Sequence, residues 1–220
     1  MATTVHEPPT RGRETASGNG GWRNLVPAEG DLRAVQSSLP PPSSTAIWVG
    51  IAAISMTFAA FTSALIVRQG SSLDWRHITL PSMLYLNTLI LLASSVTLEL
   101  SRRQIATFMG GLRIQGTSPA LWLDVTLLLG LLFVVGQYVA WRQLSAQGVY
   151  LATNPSSSFF YVLTAAHALH VLGGLGGLVY VIARLRRSIL RRSTLDAASR
   201  YWHFMDLLWL YLLLLLRMKM

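Results

Sequence analysis

Residues 159–183 read FFYVLTAAHALHVLGGLGGLVYVIA, and this stretch decides the fold of the chain. It contains no Asp, Glu, Lys or Arg, so only its two histidines carry charge near neutral pH. A bilayer core about 30 Å thick is crossed by roughly 20 apolar helical residues. The stretch is long enough to cross a membrane as one helix, and it predicts a membrane protein.

Four more apolar stretches flank this one, and their ionisable residues are few. The last of them is short and runs directly into Arg217. We therefore predict an all-α membrane protein, with a five-helix bundle at residues 45–217 and a C-terminal end at 218–220. The five transmembrane helices are expected at Thr45–Val67, Pro81–Leu100, Leu121–Trp141, Phe159–Ala183 and Tyr201–Leu216.

The composition agrees with a membrane location. The 220 residues are 52% hydrophobic and 12% charged, whereas soluble domains carry about 25% charged residues. The net charge of +9 lies beside apolar runs, which favours a membrane surface over nucleic acid as its partner. The absence of Cys excludes disulfides, iron–sulfur clusters and thiolate metal sites within the chain. Residues 1–44, rich in Pro, Gly and Ser, are predicted to form a disordered tail.

The basic residues predict the orientation of the bundle. Thirteen Arg residues lie in the tail and in the second and fourth connections, whereas five Arg and Lys residues lie on the opposite side. Connections rich in Arg and Lys stay in the cytoplasm. We therefore expect a cytoplasmic N-terminus, a cytoplasmic tail and an external C-terminus.

Ionisable residues are few within the predicted spans, where such groups are costly and often functional. His167 and His170 lie on one face of the fourth span, and the same stripe contains Gly174 and Gly177. His203 and Asp206 are three residues apart on the fifth span. From the helical rise, His170 and Asp206 lie at similar depths. We expect His167, His170, His203 and Asp206 to form a structural polar cluster that fixes helix packing.

Two other roles remain open for these histidines. His170 and His203 lie on different helices and satisfy the requirement for axial haem ligands on opposite sides of one iron. A proton relay of His, Asp and Glu is the second alternative. Glu99, close to Arg102 and Arg103, is a candidate for proton uptake or for a solvated ion pair.

The other spans carry weaker signals. Asn87 and Ser94 share a face of the second span and predict a polar seam between helices. Gly130 and Gln137 share a stripe of the third span, and Trp141 is expected to anchor its end at the membrane interface.

Two motifs carry a resemblance to a known family. Residues 158–174, SFFYVLTAAHALHVLGG, resemble the aromatic-rich signature of cytochrome c oxidase subunit III that ends in T-x-x-H-x-x-H-V-x-x-G. Residues 201–210, YWHFMDLLWL, resemble that family's YWHF-x-D-x-x-W stretch. Asn87-Thr88 with Ser94-Ser95 is similar to its LNT...SS helix, and Gly130, Phe133 and Gln137 fit its G-x-x-F-x-x-x-Q helix. The resemblance covers about residues 45–217.

The resemblance implies the five-helix bacterial form of subunit III, in the bacterial inner membrane. It further implies a non-redox subunit of a proton-translocating cytochrome c oxidase complex that reduces O2 to water in aerobic respiration. The chain itself would have no catalytic centre, and the haems and copper would lie in partner subunits. The implied tasks are to stabilise subunit I, to bind phospholipid, to support proton uptake and to limit inactivation during turnover. Subunits I and II are the implied partners, with further respiratory-complex subunits as candidates.

One position departs from the family pattern. Many members carry a Ser-Glu pair in the helix that corresponds to the first span, and that Glu reacts with carbodiimide. Alignment on the following Met-x-Phe places Ile54 there. Any role that needs this carboxylate is therefore in doubt for this chain.

Several alternatives remain open from the sequence. The accessory subunit of bacterial nitric oxide reductase shares this fold and several motifs, and a quinol oxidase would have a similar subunit. A haem-bearing anchor subunit is a third alternative. A small transporter is disfavoured because the chain shows no internal repeat and no broken helix.

Overall fold

The computed structural model describes residues 42–71, 75, 81–109, 119–187, 190 and 192–219. Residues 1–41 of the predicted tail lie outside the described residues, and so does Met220. The described part of the chain forms five long α-helices. Their bounds are α1 Pro42–Ser71, α2 Met83–Met109, α3 Pro119–Ala146, α4 Pro155–Arg186 and α5 Arg192–Lys219. Each predicted span falls on one of these helices, and most of the helices extend beyond it.

Four of the helices meet the length and composition needed to cross a membrane. The qualifying segments are Thr45–Ser71, Met83–Ile105, Ala120–Ala146 and Pro155–Arg186. Helix α5 is not among them, because its apolar part is confined to residues 201–216 between Arg200 and Arg217 and contains Asp206. The structure therefore confirms an all-helical chain with four apolar helices long enough to span a membrane.

The helices α2, α3, α4 and α5 pack in a closed ring. Each contacts its two ring neighbours, so that α2 touches both α3 and α5. Helix α1 lies outside this ring and packs on α4 and α5. The largest fully buried side chains are Trp202, Trp209, Phe58, Phe133 and Phe160. Leucines such as Leu169 and Leu207, 68% and 66% exposed, cover the outer surface, as expected for a bundle with lipid as its solvent.

The turn between α3 and α4 fixes where α4 begins. Gly148 has φ +79, a left-handed conformation that glycine adopts without a steric penalty. Pro155 is the first residue of α4, a position where its missing N–H is not needed. The Asn154 N–H donates to Ser157 Oγ across 3.1 Å. These local signals set the register of α4, and with it the inward direction of His167.

Candidate functional site

The predicted polar seam of α2 is divided between two partners, since Ser94 contacts α5 and Asn87 contacts α3. The Trp209 indole Nε1–H donates to Thr88 Oγ1, and the Trp202 indole Nε1–H donates to Ser94 Oγ, each across 3.0 Å. Ser95 Oγ and His203 Nδ1 are joined by a hydrogen bond of 2.5 Å. Trp202 and Trp209 are seven residues apart, and their acceptors Ser94 and Thr88 are six residues apart in the opposite chain order. This similar spacing on two antiparallel helices was the signal in the sequence that pairs them.

His167 lies at the centre of the bundle in what we call the ring cluster: Phe133, His167 and Trp209. Its ring centroid is 5.1 Å from that of Trp209 and 5.9 Å from that of Phe133. The side chain is fully buried, and neither ring nitrogen has a hydrogen-bond partner among the described residues. His167 is therefore packed among aromatic rings, with no polar protein partner in the described part of the chain.

His170 faces a different neighbour. Its Nδ1–H donates to Ala166 O of the same helix across 2.7 Å, and its ring packs edge-on against Phe58 of α1 at 5.8 Å. The Tyr201 hydroxyl donates to the His170 carbonyl oxygen across 2.9 Å. His170 thus helps α4 to contact both α1 and α5.

Asp206 is buried, with 4% of its surface exposed. The Ser95 hydroxyl lies next to its carboxyl group but falls outside hydrogen-bond geometry, so both carboxyl oxygens lack a hydrogen-bond partner among the described residues. No hydrogen bond in this part of the chain joins His170 to Asp206, because the His170 Nδ1–H is already donated to its own helix. In the described part of the chain, no hydrogen bond joins any two of the four predicted cluster residues, although Ser95 lies against both His203 and Asp206.

Glu99 is the centre of an ion-pair network at the end of the bundle where α5 begins. Its carboxylate accepts hydrogen bonds from Arg102 Nε at 2.8 Å, Arg102 Nη2 at 3.0 Å and Arg103 Nε at 2.9 Å. Arg102 Nη1 also reaches Asp196 of α5 at 3.4 Å. The ion-pair interpretation of Glu99 agrees with this geometry.

The sequence reasoning missed two carboxylates at this end. Asp124 of α3 pairs with Arg186 of α4 at 3.0 Å, and Asp196 bridges Arg102 and Arg192. Both lie within two turns of a helix start, close to several arginines. Their proximity to arginines was the signal that the sequence offered, since both carboxylates are partly exposed and belong to no motif.

The glycines divide into those at helix contacts and those at the open surface. A Cβ at Gly174 would lie 3.1 Å from Tyr201 Cε1 and 3.2 Å from the Trp202 ring, and one at Gly136 would lie 2.0 Å from Asn87 Oδ1. Gly177 has no such neighbour within 4 Å. Of the two glycines on the predicted stripe, Gly174 therefore lies at a close helix contact, whereas Gly177 faces open space.

Two remaining side chains have clear positions. Trp141, expected as an interface anchor, donates its Nε1–H to Thr164 Oγ1 across 3.0 Å and so joins α3 to α4. Ile54 is 9% exposed and belongs to the hydrophobic core, so the position of the family carboxylate faces the bundle interior. Among the described residues, no three His, Asp or Glu side chains are placed to hold a metal ion.

Comparison with known proteins gives a consistent result. The family model described as cytochrome c oxidase subunit III matches residues 46–218. A probable cytochrome c oxidase subunit 3 of Mycobacterium leprae is 36% identical over 131 residues, which cover 57% of this chain and 60% of that protein. A cytochrome c oxidase subunit 3 of Corynebacterium diphtheriae is 34% identical over 137 residues, which cover 61% and 63%. The chain thus spans about 60% of the length of these curated relatives.

Proposed function

The chain belongs to the cytochrome c oxidase subunit III family, and from this premise we propose that it is the non-redox subunit III of a bacterial haem-copper terminal oxidase. In this role it stabilises subunit I and supports proton uptake while the complex reduces O2 to water and pumps protons. The haems and copper belong to the partner subunits.

The observation that carries this proposal is the position of the two motif segments. Residues 158–174 and 201–210 form the contact between α4 and α5, and Trp202 and Trp209 within the second segment hold α2 through Ser94 and Thr88. The residues that carry the resemblance are thus those that hold the ring of four helices together. A scaffold built in this way suits a subunit whose task is support.

We further propose five membrane spans, with the N-terminus in the cytoplasm of a bacterium and the C-terminus outside. Helix α5 crosses as the fifth span because its ring contacts bury Asp206 away from lipid. The charged residues Arg192, Asp196 and Arg200 then lie at the cytoplasmic boundary, next to the Glu99 network.

Phospholipid binding is supported by a depression where α1 ends near the start of α4. Its volume is about 640 Å³, and its lining combines Arg68 and Asn154 with the apolar Ala64, Ala152 and Phe159. A cation beside apolar walls matches a phosphate headgroup with its acyl chains. The lipid would lie on the side of the bundle that we assign to the cell exterior.

Purification of the tagged chain from gently solubilised membranes tests the proposed function. We expect subunits I and II to co-purify, with haem absorbance and O2 reduction in the complex and no visible absorbance in the separated chain. Absorbance in the separated chain would indicate the haem-bearing anchor instead. A complex that reduces nitric oxide and not O2 would reassign the chain, and comparison of cytochrome c with quinol as donor identifies the oxidase type.

A further inference from the structure

Four buried side chains in the interior of the ring carry polar atoms that have no hydrogen-bond partner among the described residues. They are Asn87, Gln137, His167 and Asp206, and each is at most 4% exposed. Seven nitrogen and oxygen atoms are involved. Buried polar atoms in folded proteins are almost always hydrogen-bonded to protein or to ordered water, so this set indicates a ligand with small polar groups.

All four side chains border the ring cluster. His167 is a member of it, and Asn87 Nδ2 donates to the Phe133 carbonyl oxygen at 3.5 Å. Gln137 lies one turn after Phe133 on α3, and Asp206 lies one turn before Trp209 on α5. One helical turn rises about 5.4 Å. The four groups therefore lie within a few helical turns of one another along the bundle.

A second polar line connects Asp206 to the end of the bundle that holds Glu99. Ser95 lies one turn from Glu99 on α2, and His203 lies one turn from Asp206 on α5. Ser95 is hydrogen-bonded to His203 and lies next to Asp206. Glu99 and Arg102 both act on His203 electrostatically. The side chains of Glu99, Ser95, His203 and Asp206 can each donate or accept a proton. Successive members of this line are hydrogen-bonded or lie one helical turn apart.

The line ends inside the bundle. Beyond Asn87 and Gln137, towards the other end, the fully buried side chains of the ring helices include the apolar Leu84, Ala140, Leu144, Phe160 and Leu212. The buried hydroxyls of Thr164 and Ser157 at this end are already hydrogen-bonded to protein groups. Such an apolar layer excludes water and stops proton movement. A proton path that stops there does not let protons leak across the membrane.

We propose that Asp206 is a proton-exchanging carboxyl group, reached from the Glu99 end through His203 and Ser95 and bridged by water to His167, Gln137 and Asn87. On uptake, a proton from the aqueous phase at the Glu99 end enters at His203 Nε2 and the His203 Nδ1–H passes to Ser95 Oγ. The Ser95 hydroxyl proton moves at the same time through one bridging water molecule to the Asp206 carboxylate. On release, the same transfers run in reverse.

The groups that face Asp206 set its exchange. They are Ser95 on α2, which lies next to its carboxyl group, and His203 on α5, on which Glu99 and Arg102 act electrostatically. On α4, His167 packs on Trp209, one turn from Asp206, whereas His170 faces Phe58. Helix α1 has Arg68 as its one charged residue, near its end. The proposal concerns the interior of the chain and does not depend on which oxidase the chain serves.

Infrared spectroscopy of the full chain in its native complex tests this proposal. A protonated carboxyl group has a carbonyl stretch that shifts in D2O, so its exchange is followed in time after transfer from H2O. We expect Asp206→Asn to remove one such band and Asp206→Glu to move it. We expect Ser95→Ala to slow its exchange by about tenfold or more, because a positioned proton carrier is lost.

Ser94→Ala is the matched control, since Ser94 bonds Trp202 and lies off the path. It should leave the exchange rate of the Asp206 band unchanged. Circular dichroism and subunit retention establish that each variant is folded, and Asp206→Glu keeps the test usable if Asp206→Asn does not fold. The proposal is overturned if no carboxyl band depends on residue 206 at any pH, or if Ser95→Ala exchanges as fast as the wild type.

Discussion

The indole Nε1–H of Trp209 donates a hydrogen bond to Thr88 Oγ1 across 3.0 Å, in a part of the bundle where both residues are buried. The same indole ring packs against His167 and Phe133. One side chain therefore joins α2, α3, α4 and α5. Its contacts make the centre of the ring sensitive to a change at any of these four residues.

Thr88→Val tests the hydrogen bond between α2 and α5. The change keeps the shape of the side chain but removes the acceptor, so the Trp209 N–H loses its partner. We expect a cost of about 1 kcal/mol, since interhelical bonds in membranes average about 0.6 kcal/mol and a buried unpaired group costs about 1–3 kcal/mol. The measurement is the thermal midpoint of the detergent-solubilised chain. Thr57→Val is the control, because exposed Thr57 bonds only its own helix, and an equal loss in both variants would contradict the prediction.

Gly136→Ala should destabilise the bundle, because the new Cβ would lie 2.0 Å from Asn87 Oδ1. Overpacking of this kind costs about 1–3 kcal/mol. Gly176→Ala, with nothing within 4 Å of its Cβ, should be neutral or slightly stabilising, because Ala favours helix more than Gly. Denaturant titration of the two variants in parallel measures the difference. Equal stability would show that α2 and α3 are farther apart than in this structure.

Asp206→Asn should be tolerated, since it keeps a polar group of the same size, whereas Asp206→Leu should loosen the bundle and its hold on the complex. Loss of the carboxyl group removes the partner of the water molecule that we propose beside it, and each buried polar group left unsatisfied costs about 1–3 kcal/mol. The measurement is subunit retention after detergent purification, taken beside the initial rate of O2 reduction. Loss of the initial rate in Asp206→Asn with full retention would assign this carboxyl a direct part in turnover.

Carbodiimide should leave helix α1 unmodified, because Ile54 has no carboxyl group and residues 45–67 contain no Asp or Glu. Ile54→Glu should restore a reactive site and also destabilise α1 packing, since residue 54 is buried in the core. Peptide mapping after treatment detects the modification. A failure of the Ile54→Glu chain to react would place residue 54 out of reach of the reagent.

The orientation can be tested with single cysteines, because the chain has none of its own. A cysteine in place of Ser43 should resist an impermeant thiol reagent on intact cells, and one added after Met220 should react. This follows from the excess of Arg residues on the N-terminal side. Labelling of the Ser43 cysteine alone would reverse the topology.

Much of the fold could be predicted from the sequence, because a helix surrounded by lipid requires a long run of apolar residues. A helix in a membrane satisfies its own backbone, so an apolar run such as residues 159–183 fixes a helix and its approximate length. The helix ends were less predictable. Helix α4 continues to Arg186, since arginine side chains reach the interface while their backbone remains helical.

The partners of the polar side chains were harder to predict. The depths of His170 and Asp206 follow from the helical rise, but depth does not give rotation about the helix axis. His170 bonds Ala166 and faces Phe58 instead of Asp206. The Glu99 ion pairs could be predicted, because residues three and four apart on one helix are neighbours whatever the tertiary packing. The ion pair of Asp196 with Arg102 depends on the contact between α2 and α5 and was missed.

The separate position of α1 has a consequence for biosynthesis. In the described part of the chain, α1 packs on α4 and α5 and on neither α2 nor α3. A ribosome makes about 5–20 residues each second, N-terminus first, so α1 enters the membrane well before its two neighbours exist. It must remain there as a lone helix until the last two spans leave the translocon. A nascent chain halted after α3 would hold a finished hairpin of α2 and α3 beside an unattached α1, and would be a target for membrane quality control.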